Sequence, residues 1–208
     1  MARVDFSLYL VTDRHQTCCR SLHDVVRAAL RAGVRAVQLR EKDLPTRSLL
    51  ALARELTELA KTYEAKVLVN DRADVCLAAG SAGVQLPAAG LPAAASRRLL
   101  GPDRVIGVSA HSADDAVRAE ADGADFIVLG PIFETPSKRA FGPPIGLGEL
   151  ERARIRCRVP LFAIGSITQH RVRDVLKAGA RGVAVVGSVM AAEDVERAVR
   201  ELLSALAS

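Results

Sequence analysis

Aromatic side chains are scarce in this 208-residue chain: they make up 3% of it, and tryptophan is missing altogether. Few surfaces remain on which nucleotide bases could stack, and the 29 Lys and Arg residues are scattered instead of forming one run. The net charge of +5 therefore does not point to a nucleic acid; it suits a phosphorylated small substrate. Also missing is any apolar stretch near the roughly 20 residues that a membrane crossing needs. The amino end, Met1-Ala2-Arg3-Val4-Asp5, runs straight into strand-like Leu8–Val11, which predicts no cleavable signal. Cysteines number only four, and the adjacent pair Cys18-Cys19 suits neither a zinc knuckle nor a disulfide framework. These absences predict buried or idle thiols in a reducing cytoplasm, with no membrane and no nucleic-acid partner. No linker or low-complexity tract divides the chain. It reads as one domain over residues 1–208, half hydrophobic and long enough to bury a full core.

What is abundant is a repeated phrase. Ala32-Gly33-Val34-Arg35-Ala36-Val37-Gln38-Leu39 is followed by Ala79-Gly80-Ser81-Ala82-Gly83-Val84-Gln85-Leu86. Asp122-Gly123-Ala124-Asp125-Phe126-Ile127-Val128-Leu129 and Ala178-Gly179-Ala180-Arg181-Gly182-Val183-Ala184-Val185 obey the same grammar. An amphipathic run stops, a glycine supplies the left-handed cap, and a short apolar strand starts three residues later. A helix feeding at once into a buried strand is half of a βαβ unit, so the repeats predict parallel strands with helices outside.

Apolar runs predict strands at Leu8–Val11, Ala36–Arg40, Lys66–Asn70, Gly83–Leu86, Val105–Val108, Asp125–Leu129, Pro160–Ile164 and Gly182–Val186. Between them, helical patterns cover Leu22–Ala32, Arg47–Thr62, Ala73–Gly80, Pro92–Leu100, Ala113–Asp122, Leu147–Arg156, Gln169–Ala178 and Glu193–Ala207. Ser21 with Asp24, Ser112 with Asp115, and Thr168 occupy N-cap positions, and Pro92 lies near a first turn. Eight alternating pairs with right-handed crossovers predict an α/β fold, a closed (β/α)8 TIM barrel. An open doubly wound sheet is disfavoured because no G-x-G-x-x-G follows the first strand.

In such a barrel the chemistry gathers where strands finish. Polar residues follow seven of the strands: Thr12-Asp13-Arg14; Gln38, Arg40, Glu41 and Lys42; Asn70-Asp71-Arg72; Ser109 and His111; Thr135, Ser137 and Lys138; Gly165-Ser166; Gly187-Ser188. The small residues after the last two strands let backbone N–H groups approach an anion, which predicts a phosphate there. Arg40 and Lys42, two apart at a strand end, can join Lys138 around a more highly charged group such as a pyrophosphate. Asn70-Asp71 is a carbonyl and carboxylate pair of the kind that holds Mg²⁺. Of the four histidines, His111 is the one placed to exchange a proton near neutral pH or, equally, to cap the next helix. His15, His23 and His170 read as surface residues.

These residues resemble a known family, the thiamin phosphate synthases and the related TenI-type thiazole tautomerases, over nearly the whole chain. The motifs are Tyr9-Leu10-Val11-Thr12-Asp13, Val37-Gln38-Leu39-Arg40-Glu41-Lys42, Asn70-Asp71-Arg72, and Gly130-Pro131-Ile132-Phe133 with Thr135 and Lys138. Ala163-Ile164-Gly165-Ser166-Ile167-Thr168 and the strand Gly182-Val183-Ala184-Val185-Val186 complete them. The resemblance implies a (β/α)8 fold and a thiazole phosphate substrate. It implies that Gln38, Arg40, Lys42, Asn70 and Lys138 bind a pyrimidine pyrophosphate, that Asp71 is a Mg²⁺ ligand, and that Thr135, Gly165 and Val186-Gly187-Ser188 contact the thiazole phosphate. Ser109 and Ser166 are expected to line the same substrate site.

One departure weighs on function. The synthases carry a pattern resembling G-V-H-L-G-Q-x-D after the fourth strand, whose Asp is a second magnesium ligand. Here the stretch is Gly83-Val84-Gln85-Leu86-Pro87-Ala88-Ala89-Gly90, with glycine in the place of that carboxylate. The expectation drawn from Gly90 is a TenI-like tautomerase that needs no metal. In it His111 shuttles a proton, with Lys138 the second catalytic residue, to give the aromatic thiazole carboxylate phosphate. The alternative is a thiamin phosphate synthase that uses Mg²⁺ and expels pyrophosphate. A third is a non-catalytic barrel that binds thiamin precursors. The sequence leaves homo-oligomerisation open, and the segment Thr135–Pro144, rich in Pro and Gly, is a candidate lid.

Overall fold

Each predicted strand forms and pairs in parallel with its neighbours in chain order, and the last pairs with the first. They are β1 (Leu8–Val11), β2 (Ala36–Leu39), β3 (Lys66–Asn70), β4 (Gly83–Leu86), β5 (Val105–Ala110), β6 (Phe126–Leu129), β7 (Leu161–Ala163) and β8 (Gly182–Val185). The closed order β1-β2-β3-β4-β5-β6-β7-β8 is the (β/α)8 TIM barrel the repeats predict. This computed structural model describes residues 4–135 and 143–207. The helices are α1 (Leu22–Arg31), α2 (Thr46–Lys61), α3 (Ala73–Ala79), α4 (Ala93–Leu100), α5 (Ala113–Ala121), α6 (Gly146–Arg156), α7 (Gln169–Lys177), α8 (Gly187–Met190) and α9 (Val195–Ala207). The glycines of the four repeats all have positive φ, from +67° at Gly80 to +116° at Gly33, so each repeat turns as its grammar predicts.

Alternation along the strands sorts side chains into two sets. One set (Leu10, Val37, Leu39, Val67, Val69, Val84, Ile106, Ile127 and Val185 among others) packs outward with the apolar helix faces. The other (Tyr9, Val11, Ala36, Leu68, Val105, Phe126, Val128, Phe162, Ala184) fills the barrel interior with Phe6. Phe6, Tyr9, Phe126 and Phe162 stack edge to face and tilted, with centroids 5.2–6.4 Å apart, so most of the few aromatics stopper one end of the tube. Burial pushes the Tyr9 phenol well above its ordinary pKa, so it stays neutral. Room for these rings comes from small neighbours. A Cβ on Gly107 would lie 2.4 Å from Phe126 Cζ and 2.3 Å from Gln85 Oε1.

Several details differ from the sequence reading. β2 ends at Leu39, which leaves Arg40 just past the strand, and β5 continues to Ala110, which places Ser109 within it. The last helix starts at Val195, not Glu193, because Asp194 caps it: its carboxylate accepts from Arg197 N at 2.9 Å. Ser21 and Ser112 accept from Asp24 N and Asp115 N as predicted, but Thr168, though in the cap position, makes no side-chain cap bond. A 3-10 turn at Arg14–Gln16 and the short α8 were not foreseen. No helix among the described residues is long and apolar enough to cross a membrane.

Candidate active site

At the ends of β1 and β2 the chain is pinned before it turns. Thr12 is fully buried; its N–H donates to Gln38 O at 2.9 Å and its hydroxyl accepts from Arg40 N at 2.9 Å. Beyond, Arg14 takes both acids of the next loop. Its backbone N–H and guanidinium donate to the buried Glu41 at 3.2 Å, and its two terminal nitrogens donate to the two oxygens of Asp43 at 2.5 and 2.6 Å. The bidentate bond holds the Asp43 carboxyl far below the usual range, helped by His15, and raises Arg14. Glu41 and Asp43 are thus spent on Arg14. Arg40, half-buried, and Lys42, exposed, have no ion-pair partner among the described residues.

Inward positions of β2 to β5 carry amides and a hydroxyl. Gln38, buried, donates through Nε2 to Asn70 Oδ1 at 3.0 Å. Gln85, also buried, donates to Ser109 Oγ at 3.1 Å, and its Oε1 accepts from nothing among the described residues. Next to Asn70, Asp71 has a left-handed backbone (φ +62°), fixed by its N–H donating to Gln85 O at 3.0 Å. Its exposed carboxylate has no hydrogen bond or ion pair among the described residues. Arg72 is not free for a ligand, because it pairs with both oxygens of Asp74 at 2.8 and 2.6 Å; the pair raises Arg72 and lowers Asp74. Gly90 abuts Asp71: a Cβ there would sit 3.1 Å from Asp71 Oδ1 and 2.8 Å from the Pro87 ring.

His111 is exposed. Its Nδ1 lies 2.7 Å from Gly130 O, and its N–H donates to Asp115 at 3.1 Å. A carbonyl only accepts, so Nδ1 carries the proton in this bond.

The β6, β7 and β8 side is built differently. Gly165 has φ +111° and Ser166 φ +49°. A Cβ on Gly165 would lie 2.7 Å from Pro131 Cβ, so only glycine lets the β7 loop approach the β6 loop this closely. Ser166 Oγ donates to Glu134 O at 2.6 Å and lies 3.2 Å from Thr135 Oγ1, which donates to Phe133 O at 3.0 Å. The N–H groups of Gly165 and Ser166 donate to nothing among the described residues. Gly187 and Ser188 open α8, so their N–H groups have no intrahelical acceptor, and Val186 is its N-cap.

The structure therefore brings Gln38, Arg40, Lys42, Asn70, Asp71, Ser109, His111, Thr135, Gly165, Ser166, Val186, Gly187 and Ser188 to the carboxyl ends of the strands. Lys138 and Ser137, with most of the proposed Thr135–Pro144 lid, lie outside the described residues. No group of three metal-ligating side chains occurs among the described residues. Two residues went unnoticed in the sequence. Gln85 was legible as the polar residue between Val84 and Leu86 on an otherwise apolar strand, whereas Arg171 had no signal to set it apart from other helix arginines.

Comparison with known proteins identifies the family. Residues 8–189 match the profile of the family described as thiamine monophosphate synthase. A Geobacter sulfurreducens protein, provisionally named a thiamine-phosphate synthase, is 50% identical over 99% of this chain and 97% of its own. The Roseiflexus castenholzii thiamine-phosphate synthase is 43% identical over 94% of this chain and 86% of its own. Among solved structures, the thiamine phosphate pyrophosphorylase of Pyrococcus furiosus superimposes with a TM-score of 0.88. It is 36% identical, over 97% of this chain and 95% of that one.

Proposed function

The chain belongs to the thiamine monophosphate synthase family, and on that premise we propose that it is a thiamine-phosphate synthase. It joins a pyrimidine methyl pyrophosphate to a thiazole phosphate and releases pyrophosphate. The names of its relatives favour this reading over the tautomerase expected from Gly90.

The observation that carries it is the unengaged Asp71 carboxylate beside Asn70, at the end where Arg40 and Lys42 also lack partners. Two cations and one carboxylate together match a pyrophosphate that arrives with a divalent cation. Mg²⁺ is commonly held by one or two carboxylates, with substrate phosphates and water completing the shell, so one carboxylate is enough. Asp71 would hold the ion, and Mg²⁺ bound there would neutralise charge on the pyrophosphate. The glycine at 90 removes a ligand without removing the site.

Arg40 and Lys42 bind the pyrophosphate and stabilise the charge it gains as its bond to the pyrimidine methylene breaks. Lys138, by resemblance, completes that set. The thiazole nitrogen supplies the electron pair for the new C–N bond, and Gly165, Ser166, Gly187 and Ser188 hold the thiazole phosphate through backbone N–H groups. Gln38 orients Asn70, and the unused Gln85 Oε1 is an acceptor for a ring amino group. This joining step needs no proton transfer, so His111 serves as the bridge between β5 and Gly130 and not as a shuttle. Phosphorylated substrates that do not cross membranes unaided suit a cytoplasmic enzyme.

Incubation with thiazole phosphate, pyrimidine pyrophosphate and Mg²⁺ should yield thiamin phosphate and pyrophosphate in equal amounts. Conversion of the thiazole tautomer with no thiamin phosphate formed would restore the tautomerase reading. Inactivity in both assays would leave a binding protein.

A further inference from the structure

Arg171, from the first turn of α7, is half-buried and touches two loops at the mouth. Its Nη1 donates to Ser166 O at 2.8 Å, and its guanidinium lies 4.5 Å from the centroid of the Phe133 ring on the β6 loop. We propose that Arg171 is a positioning residue. It clamps Ser166 by its carbonyl so that the free N–H groups of Gly165 and Ser166 stay aimed at a phosphate monoester, the thiazole phosphate of the reaction proposed above, on which this inference rests.

The case starts from Ser166, a non-glycine residue at φ +49°, a conformation that persists only when its surroundings impose it. Three polar groups of Ser166 can be followed. Its hydroxyl is held by Glu134 O at 2.6 Å, its carbonyl is held by Arg171 at 2.8 Å, and its N–H is left over. Two anchors thus fix the residue and leave the third group available for a ligand. Without the guanidinium the peptide after Ser166 is loose, and the direction of the Ser166 N–H is set by the hydroxyl alone.

Arg171 does this through the planar fork of its guanidinium. One nitrogen reaches Ser166 while the guanidinium carbon lies over Phe133, which packs on the apolar core, so the side chain ties α7 to the two loops. A lysine keeps the charge but has no face to lay on the ring and no fork to hold the carbonyl in one direction. That difference separates positioning from simple attraction of an anion.

The test uses Arg171→Met and Arg171→Lys in the intact chain. Both should raise KM for thiazole phosphate about tenfold, the loss expected when one charge-assisted hydrogen bond no longer orders its acceptor. KM for pyrimidine pyrophosphate should stay within about twofold, and inorganic phosphate should weaken as a competitor of thiazole phosphate in parallel. A wild-type KM in Arg171→Lys would overturn the clamp in favour of bulk charge, and an equal rise in both KM values would reduce Arg171 to general support of the fold. Calorimetric titration with thiazole phosphate alone keeps the clamp separate from the proposed reaction. A chain that forms no thiamin phosphate but binds thiazole phosphate about ten times more weakly in both variants retains the clamp and loses the synthase, while unchanged binding sinks the clamp alone.

Discussion

The two arcs of the barrel mouth present charge in different ways. From β2 to β5 it is carried by side chains, Arg40, Lys42 and Asp71, that extend past strand ends and bond to nothing else among the described residues. From β6 to β8 it is carried by backbone N–H groups in loops tied together by Ser166, Thr135 and Arg171. Long side chains can follow a group whose charge changes and which then departs, as pyrophosphate does. Fixed amides suit a group whose charge is constant, as the thiazole phosphate is. Under the reaction proposed above, the two substrates would divide between side chain and main chain.

The largest effect should come from the first arc. Arg40→Met should lower kcat/KM for pyrimidine pyrophosphate by roughly a hundredfold, because a cation facing a multiply charged leaving group acts most strongly in the transition state. KM for thiazole phosphate should change by no more than about twofold in steady-state assays, and a matching rise would dissolve the distinction between arcs. Next comes Gly165→Ala, which sets a methyl against Pro131 in a left-handed backbone. It should raise KM for thiazole phosphate about tenfold and lower Tm, at a cost of about 1–3 kcal/mol, with pyrimidine binding spared. If pyrimidine binding falls instead, the assignment of the arcs is reversed.

The smallest effect lies in the Arg14–Asp43 support behind Arg40. Because Arg14, and after it His15, hold the Asp43 carboxyl below the usual range, the pair contributes stability above the ordinary carboxylate pKa. That contribution is lost progressively as pH falls from the ordinary carboxylate pKa through the depressed value. Asp43→Asn should therefore lower Tm slightly at neutral pH, and the gap from wild type should narrow below about pH 4. A gap that is constant down to strong acid would show that charge plays no part.

Much of the barrel was legible because its signals are local. A glycine after an amphipathic run and a strand three residues later mark four of the helix-to-strand boundaries, and the observed strands fall within two residues of the expected ones. The two-residue spacing likewise set Arg40 and Lys42 together at the end of β2. Elements as short as Arg14–Gln16 and Gly187–Met190 escaped notice because three or four residues display no period. The harder failure concerned Gly90. In the sequence it is a missing carboxylate and argues for another reaction. In space it is a close neighbour of an Asp71 that keeps its own charge free, beside a Pro87 ring occupying the space a side chain would need. Whether a neighbouring acid is already engaged is a three-dimensional fact, as the contrast between Asp71 and the fully occupied Asp43 makes plain. Arg171 was hidden for the same reason: its target is a carbonyl five residues back, across a turn.

The cluster of Phe6, Tyr9, Phe126 and Phe162 has a consequence for traffic. A barrel whose interior is filled by side chains can be reached only from its rim, so under the reaction proposed above reactants and products would share one threshold.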